Sequence, residues 1–231
     1  MEIKQYDSDL IERNKAVSGC FWMLVLFLAI TAVPVFFQDS PQLLARGYLA
    51  PVIFTAEFLI IVPVYYLFFR RRAGLGLGGF RPDIFLILLF IILLVQYIFP
   101  YLMGKRSAEG WSTGQFTLAP PVFWLNSLLL VFVVPIYEEM VFRGCLFNVF
   151  KVWLRDNIYA AAVAVSVIFS AVHLQYTDIR TFIVLFLVSL VLIAARVKMG
   201  GILMPVILHM AMNAIVIAVQ YAAYLLGAFA G

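Results

Sequence analysis

VFWLNSLLLVFVVPIYEEMVFRGCLFNVF, residues 122–150, is the stretch that decides the fold of this chain. It exceeds the roughly 20 apolar residues with which a helix crosses the ~30 Å hydrocarbon core of a bilayer. Its charged side chains are Glu138, Glu139 and Arg143. The stretch therefore predicts a membrane-spanning helix that carries three ionisable groups within the membrane.

The rest of the chain has the same membrane character. Of its 231 residues, 65% are hydrophobic and 12% are charged, whereas soluble domains contain roughly 45–50% apolar and 25% charged residues. Such a chain has too little polar surface to face water. The net charge of +4 comes from basic residues spread over the predicted loops, so it does not indicate nucleic-acid binding. We therefore predict an all-α, polytopic membrane protein in contact with the lipid bilayer.

Apolar runs predict about seven spanning helices, with eight as the alternative count. The predicted spans are residues 19–37, 48–69, 83–103, 122–150, 158–174, 181–197 and 202–229. We divide the chain into residues 1–118, a cytoplasmic tail with three spans, and residues 119–231, a catalytic core with four. Most of the 16 lysines and arginines fall in cytoplasmic segments if the N-terminus lies inside. We expect this orientation, in the plasma (cytoplasmic) membrane of a prokaryote.

Three further features are interpreted as structural. The polar N-terminal segment lacks a signal-peptide cleavage pattern, so we expect the first helix to be retained. The glycine-rich stretch 74–79 is expected to be a flexible connector, because it lacks the lysine of a phosphate-binding loop. Cys20 and Cys145 form no framework pattern, and we expect both to be apolar packing residues without a disulfide.

Polar groups inside the predicted spans are few, and an intramembrane ionisable group suggests function because it is costly in lipid. They are Glu57, Glu138, Glu139, Arg143, His173, His209 and Asn213. At ~1.5 Å per helical residue, Glu138 and His173 lie about 20 and 24 Å from the loop that joins their helices. His209 lies about 12 Å into the last span. Three separate helices therefore bring these groups to similar depth.

The spacing of these residues predicts how they face each other. Glu139 and Arg143 are four residues apart, which suits an ion pair on one helix face. Glu138 points about 100° away from Glu139 and can face a cavity. His209 and Asn213 are also four apart and project from one face, as do Phe169 and His173, whose rings we expect to pack together.

Together these groups suit amide hydrolysis by an activated water molecule. Glu138 can act as a general base, and His173 can help to position the water. His209 and Asn213 can donate hydrogen bonds to the oxyanion that forms on a substrate carbonyl. The structural alternatives are a buried ion pair at Glu139, structural histidines, and interhelical hydrogen bonding by Asn213. Glu57 has no evident partner, and we interpret it as structural.

Three motifs occur in order on separate predicted spans. They are Glu138-Glu139-x-x-x-Arg143-Gly144, Phe169-x-x-x-His173 and His209-x-x-x-Asn213. This set, within residues 122–229, resembles that of the CPBP family, the CAAX-processing and bacteriocin-processing intramembrane endopeptidases, also called the Abi or type II CAAX prenyl endopeptidase family. The resemblance implies an all-helical membrane peptidase that cleaves a peptide or membrane-protein substrate, including prenylated ones.

The resemblance also implies roles for the motif residues. Glu138 would activate the water with the help of His173, and Glu139 with Arg143 would support the site. By the same resemblance, His209 and Asn213 would form the oxyanion hole.

Several alternatives remain open at this stage. We expect no cofactor, but two histidines and a glutamate can complete a three-ligand zinc site, here Glu138, His173 and His209. The chain lacks the His-Glu-x-x-His run of zincin-type proteases. A non-catalytic protein of the same fold, acting in immunity or as a scaffold, is the main functional alternative. A proton-coupled transporter is a second, although the two related halves of many transporters are not evident.

Overall fold

The computed structural model describes residues 19–71, 75–104 and 109–227, and these residues form nine helices and no strands. In chain order the helices are α1 (Gly19–Phe36), α2 (Ser40–Ala45), α3 (Leu49–Phe68), α4 (Pro82–Leu102), α5 (Gly110–Gly114), α6 (Pro120–Trp153), α7 (Ile158–Ala171), α8 (Ile179–Met199) and α9 (Leu203–Leu225). The predicted cytoplasmic tail, residues 1–18, lies outside the described residues.

Six of these helices, α1, α3, α4, α6, α8 and α9, are long and apolar enough to cross a membrane. The all-α, polytopic membrane fold is thus confirmed. The seventh apolar helix, α7, has 14 residues, or about 21 Å at 1.5 Å per residue, which is shorter than a bilayer core. The short helices α2 and α5 were not predicted, because six and five residues carry too little periodicity to be recognised.

Local sequence determines where the core helices begin and end. The side chain of Asn157 accepts hydrogen bonds from the backbone N–H groups of Tyr159 and Ala160 and caps the start of α7. The side chain of Asp178 accepts from the N–H of Arg180 and caps α8. Gly200 ends α8 in a left-handed conformation, with φ of 70°.

Two apolar clusters hold the helices together. In the larger one, α1, α3 and α7 pack around α6. In the smaller one, α4 packs against α8 and α9. The central helix α6 supplies the largest fully buried side chains of the described residues, including Arg143, Tyr137 and Phe142. The ionisable motif of α6 therefore lies in the middle of the protein and not on its lipid-facing surface.

The helix α6 is continuous over 34 residues but contains two π-helical segments, Leu129–Val133 and Met140–Leu146. In the first, the N–H of Val134 donates to the carbonyl of Leu129, five residues back. The neighbouring Pro135 has no N–H to donate, so the local hydrogen bonding is already interrupted there. The motif with Glu138 and Glu139 lies between the two wide turns.

The expectation that Cys20 and Cys145 are unpaired is wrong. The two residues form a disulfide, with Cα atoms 5.0 Å apart, that joins α1 to α6. They are separated by 125 residues in sequence, and both are buried. Their pairing follows from the packing of α1 on α6, which no cysteine spacing can reveal.

Residues 76–79 of the glycine-rich connector contact the turn between α8 and α9, and Gly74 lies outside the described residues. The expected flexibility of this connector stays a prediction. The N–H of Gly79 donates to the carbonyl of Met199 at 2.9 Å, and the N–H of Leu203 donates to Leu77 at 2.8 Å. Gly78 has φ of 70°, and a Cβ there would lie 2.5 Å from the Met199 oxygen. Glycine thus permits a close backbone approach to the α8–α9 turn.

Candidate active site

A cavity of about 320 Å³ lies among the core helices. Its polar lining includes Glu109, Glu138, His173, Tyr176, His209 and Asn213. The walls around these groups are apolar and include Val184, Val188 and Val216. The structure thus brings the four predicted catalytic side chains to one cavity, from α6, the end of α7, and α9. Their catalytic roles remain predictions.

Glu138 and Glu139 are neighbours on α6 but have different surroundings. The side chain of Glu138 is 12% exposed and faces the cavity, with its Oε2 3.9 Å from His209 Nε2. The side chain of Glu139 is fully buried beside the cavity. Its Oε1 accepts a hydrogen bond from Arg143 Nη1 at 2.9 Å, which confirms the predicted ion pair.

His209 links the buried ion pair to the cavity. Its Nδ1 lies 2.8 Å from Glu139 Oε1, and because a carboxylate only accepts, Nδ1 donates. The other ring nitrogen, Nε2, faces Glu138. When the ring is protonated, Nε2 can donate to an oxygen in the cavity. The guanidinium of Arg143 also lies 4.2 Å from the centre of the Phe169 ring, a cation–π contact.

His173 follows the last turn of α7. Its Nδ1 lies 2.6 Å from the carbonyl oxygen of Phe169, so Nδ1 donates and Nε2 of the neutral ring accepts. The predicted packing of Phe169 with His173 is confirmed, with ring centres 4.7 Å apart. The Tyr176 ring stacks on His173 with ring centres 6.3 Å apart. These contacts fix the imidazole at the cavity wall.

Asn213 connects α9 to the first π segment of α6. Its Nδ2 donates to the carbonyl oxygen of Leu130 at 2.8 Å. In a regular α-helix this oxygen would accept from the N–H of Val134, which instead donates to Leu129. The observed bond is the interhelical contact that we considered from the sequence. A primary amide has a second N–H, and the Asn213 side chain lines the cavity.

The mouth of the cavity contains residues that sequence reasoning missed. Glu109 precedes α5 and accepts hydrogen bonds from the backbone N–H of Thr177 at 3.4 Å and of Asp178 at 3.3 Å, and from the hydroxyl of Thr181. Trp111 packs edge-on against Tyr176, with ring centres 5.9 Å apart. Glu109 and Trp111 lie in the polar connection between α4 and α6. No hydrophobic pattern in this connection predicts that it packs against the core helices.

Tyr176 lies in the connection between α7 and α8. Burial, together with the carboxylates of Glu109 and Glu138, raises the pKa of Tyr176 to about 12. The raised pKa keeps the phenol protonated at neutral pH. Tyr176 thus lines the cavity as a neutral phenol.

Glu57 has partners, contrary to the expectation from its sequence. Its Oε1 accepts a hydrogen bond from the hydroxyl of Thr31 at 2.6 Å, and Tyr137 also bonds to this carboxyl group. Glu57 does not line the cavity, although Phe54, one turn away on α3, does. Glu57 on α3 thus bonds to α1 through Thr31 and to α6 through Tyr137, which agrees with the structural role expected from the sequence.

The zinc alternative requires a group of side chains that can surround one ion. Among residues 19–71, 75–104 and 109–227, no three His, Cys, Asp or Glu side chains are grouped so that they could hold a metal ion. Glu138, His173 and His209 line the same cavity without forming such a group. The positions of Glu138, His173 and His209 among the described residues thus do not fit a three-ligand zinc site.

Comparison with known proteins agrees with the site geometry. Residues 120–215 match the family model described as type II CAAX prenyl endopeptidase Rce1-like. An uncharacterized 24.3 kDa protein of Escherichia coli is 37% identical over 120 residues, which are 50% of this chain and 55% of that protein. The chain thus spans about half the length of this relative. No solved structure matches the chain. The helical core that holds the cavity, residues 120–215, is thus similar to the Rce1-like type II CAAX prenyl endopeptidases.

Proposed function

We propose that this integral membrane protein is an intramembrane endopeptidase that hydrolyses a peptide bond with a water molecule activated by Glu138 and His173. The observation that carries the proposal is the shared cavity. Glu138, His173, His209 and Asn213 come from different parts of the chain, yet all line it. The match of the surrounding helices to a family of endopeptidases supports the same reaction.

In the proposed reaction, water lies between the Glu138 carboxylate and Nε2 of His173. Glu138 accepts a proton from the water as its oxygen attacks the substrate carbonyl carbon, and His173 orients the water through its free Nε2 lone pair. Glu138 then returns the proton to the amide nitrogen as the C–N bond breaks. The products are a carboxylic acid and an amine, which together contain all the atoms of the amide and the water, and Glu138 returns to its carboxylate form.

The negative charge that develops on the carbonyl oxygen requires donors. His209 is one proposed donor, because its Nδ1 donates to Glu139 Oε1 while its Nε2 edge faces the cavity. The second N–H of Asn213 supplies the other donor, while its first remains bonded to Leu130. Arg143 balances the charge of Glu139 and holds it in place.

The proposed substrates are peptides or membrane-protein segments that enter the cavity from the bilayer. The apolar walls suit aliphatic side chains or a prenyl group. We also propose a prokaryotic plasma membrane and a cytoplasmic N-terminus, on the basis of the distribution of basic residues along the sequence. The bacterial origin of the relative supports this placement.

The test uses the purified full chain in lipid nanodiscs and two quenched fluorescent peptides that end in Cys-Val-Ile-Met, one farnesylated and one not. We expect cleavage of at least one peptide, and we expect Glu138→Ala and His173→Ala each to abolish it without loss of folding, judged by thermal unfolding. A folded wild-type protein that cleaves neither peptide would support the non-catalytic alternative. Cleavage that survives both substitutions would refute the proposed roles.

A further inference from the structure

The second π segment of α6, Met140–Leu146, contains a displaced backbone hydrogen bond. The N–H of Phe147 donates to the carbonyl of Phe142, five residues back. In a regular α-helix it would donate to the carbonyl of Arg143, four residues back. The Arg143 carbonyl therefore lacks its helical partner in the buried centre of the protein, where an unbonded carbonyl is costly.

Arg196 on α8 replaces that partner. Its Nε donates to the Arg143 oxygen at 2.9 Å, and its Nη2 donates to Asn148 Oδ1 at 3.2 Å. Asn148 in turn donates from Nδ2 to the carbonyl of Gly144 at 2.8 Å. The guanidinium also lies over the Phe147 ring at 5.1 Å. Arg196 and Asn148 thus bond two consecutive carbonyls of the π segment, and we call them the π clamp.

The same arrangement occurs at the other wide turn of α6. There the N–H of Val134 donates to Leu129, and the displaced carbonyl of Leu130 accepts a hydrogen bond from Asn213 on α9. Each π segment is thus supported by a side chain from a different helix of the core. Glu138 and Glu139 lie between these two supported turns.

A π segment accommodates one extra residue relative to an α-helix. If the second segment closed to a regular α-helix, residues before and after it would turn relative to each other by about 100°. The C-terminal end of the segment itself is held by the Cys145 disulfide and by Tyr65, which packs on Gly144. The turn would therefore fall on the preceding part, which includes Glu138.

We propose that Arg196 is a positioning residue that, together with Asn148, holds the second π segment open so that Glu138 faces the cavity. The same geometry directs Glu139 towards Arg143 and His209. The effect on catalysis rests on the proposed function, whereas the effect on the orientation of Glu138 does not. The test therefore includes one measurement of each kind.

The first measurement is the kinetics of peptide cleavage. We expect Arg196→Ala to lower kcat by about tenfold or more with little change in KM, because a small displacement of a catalytic group affects the chemical step. Arg196→Lys, which can still donate to the Arg143 carbonyl, should keep more of kcat than Arg196→Ala. The matched control is Lys198→Ala, which removes an exposed cation from the same last turn of α8. An unchanged kcat in Arg196→Ala would overturn the inference.

The second measurement needs no substrate. Dicyclohexylcarbodiimide modifies carboxyl groups in apolar surroundings, and tandem mass spectrometry distinguishes modified Glu138 from modified Glu139. We expect the ratio of Glu138 to Glu139 labelling to fall at least several-fold in Arg196→Ala and to stay unchanged in Lys198→Ala. An unchanged ratio in Arg196→Ala would refute the positioning role.

The two failures are distinguishable. A wild-type protein without peptidase activity refutes the proposed function, and the labelling ratio still decides the role of Arg196. If Arg196→Ala does not fold, Arg196→Lys and Asn148→Ala each remove only part of the π clamp. Both should then show smaller shifts of the same ratio, and wild-type ratios in both would overturn the inference.

Discussion

Helix α6 of the core and helix α3 of the N-terminal part each contain a buried glutamate, and the two side chains have different surroundings. In the core, the Glu138 carboxyl group and the His173 ring both line the cavity. His173 Nδ1 is bonded to the Phe169 carbonyl, so its Nε2 is the nitrogen that can bind a substrate or water. In the N-terminal part, Glu57 is as buried as a core residue, but its carboxyl group is bonded to Thr31 and Tyr137. A buried carboxylate therefore indicates chemistry only when it also faces a cavity.

The comparison also shows what the N-terminal helices contribute. Three of their contacts reach residues 137–145 of α6, which include the proposed catalytic motif with Glu138. Tyr137 bonds to Glu57, Gly144 packs against Tyr65, and Cys145 is joined to Cys20. We infer that α1 and α3 act as a scaffold for this part of α6, outside the family-matched region.

The largest expected effect comes from a direct comparison of two buried glutamates. Glu138→Gln should lower peptide cleavage by about 100-fold or more, because it removes the general base. Glu57→Gln should leave cleavage near the wild-type rate, because glutamine retains an oxygen that accepts from Thr31. Initial rates of peptide cleavage, normalised to folded protein, check both. If Glu138→Gln and Glu57→Gln lowered the cleavage rate equally, Glu138 would have no catalytic role that distinguishes it from the structural residue Glu57.

Sequence patterns predicted the parts of the fold that depend on length and hydropathy. Six of the seven predicted spans coincide with helices that are long enough to cross a membrane, because about 20 apolar residues are a strong local signal. The seventh coincides with α7, which has only 14 residues. The ion pair of Glu139 with Arg143 and the packing of Phe169 on His173 also follow from spacing along one helix. These features require no knowledge of how the helices pack.

Features that depend on packing were not predictable from the sequence. The bond of His209 to Glu139 and the disulfide of Cys20 join residues far apart in the chain. The π segments shift the register of α6 by backbone bonds that no side-chain pattern records. The hydrogen bond of Arg196 to the Arg143 carbonyl was missed for the same reason, since the position of Arg196 near a predicted span end suggested only a topology signal.

The disulfide provides the next test of the scaffold. Cys20→Ala with Cys145→Ala should lower the free energy of unfolding by about 2–4 kcal/mol, because the loop of the unfolded chain is no longer closed. Peptide cleavage per folded molecule should change little, since neither cysteine lines the cavity. Denaturation in mild detergent, compared with reduced wild-type protein, measures the first effect.

A matched check establishes that the bond forms. Unfolded wild-type protein should react with a maleimide only after reduction, whereas either single cysteine variant should react without it. Reaction of unreduced wild-type protein would contradict the covalent link between α1 and α6. A loss of cleavage equal to that of Glu138→Gln would instead assign α1 a direct part in the site.

The smallest expected effect concerns the contact of α3 with α6. A Cβ added at Gly144 would lie 2.8 Å from the Tyr65 hydroxyl and 3.0 Å from its Cε2. Tyr65 is held in place because its hydroxyl donates to the carbonyl of Leu75 at 2.7 Å. Gly144→Ala should therefore lower the free energy of unfolding by about 1–3 kcal/mol through overpacking.

A double-mutant cycle separates this contact from a general intolerance of alanine in the π segment. In a Tyr65→Leu background the ring is gone, so Gly144→Ala should cost less than it does in the wild-type background. Gly110→Ala is the matched control, because a Cβ at Gly110 meets no atom of the described residues within 4 Å. Equal costs of Gly144→Ala in both backgrounds would show that α3 does not constrain α6 at this point. The scaffold role would then rest on α1 and on the Glu57 contact alone.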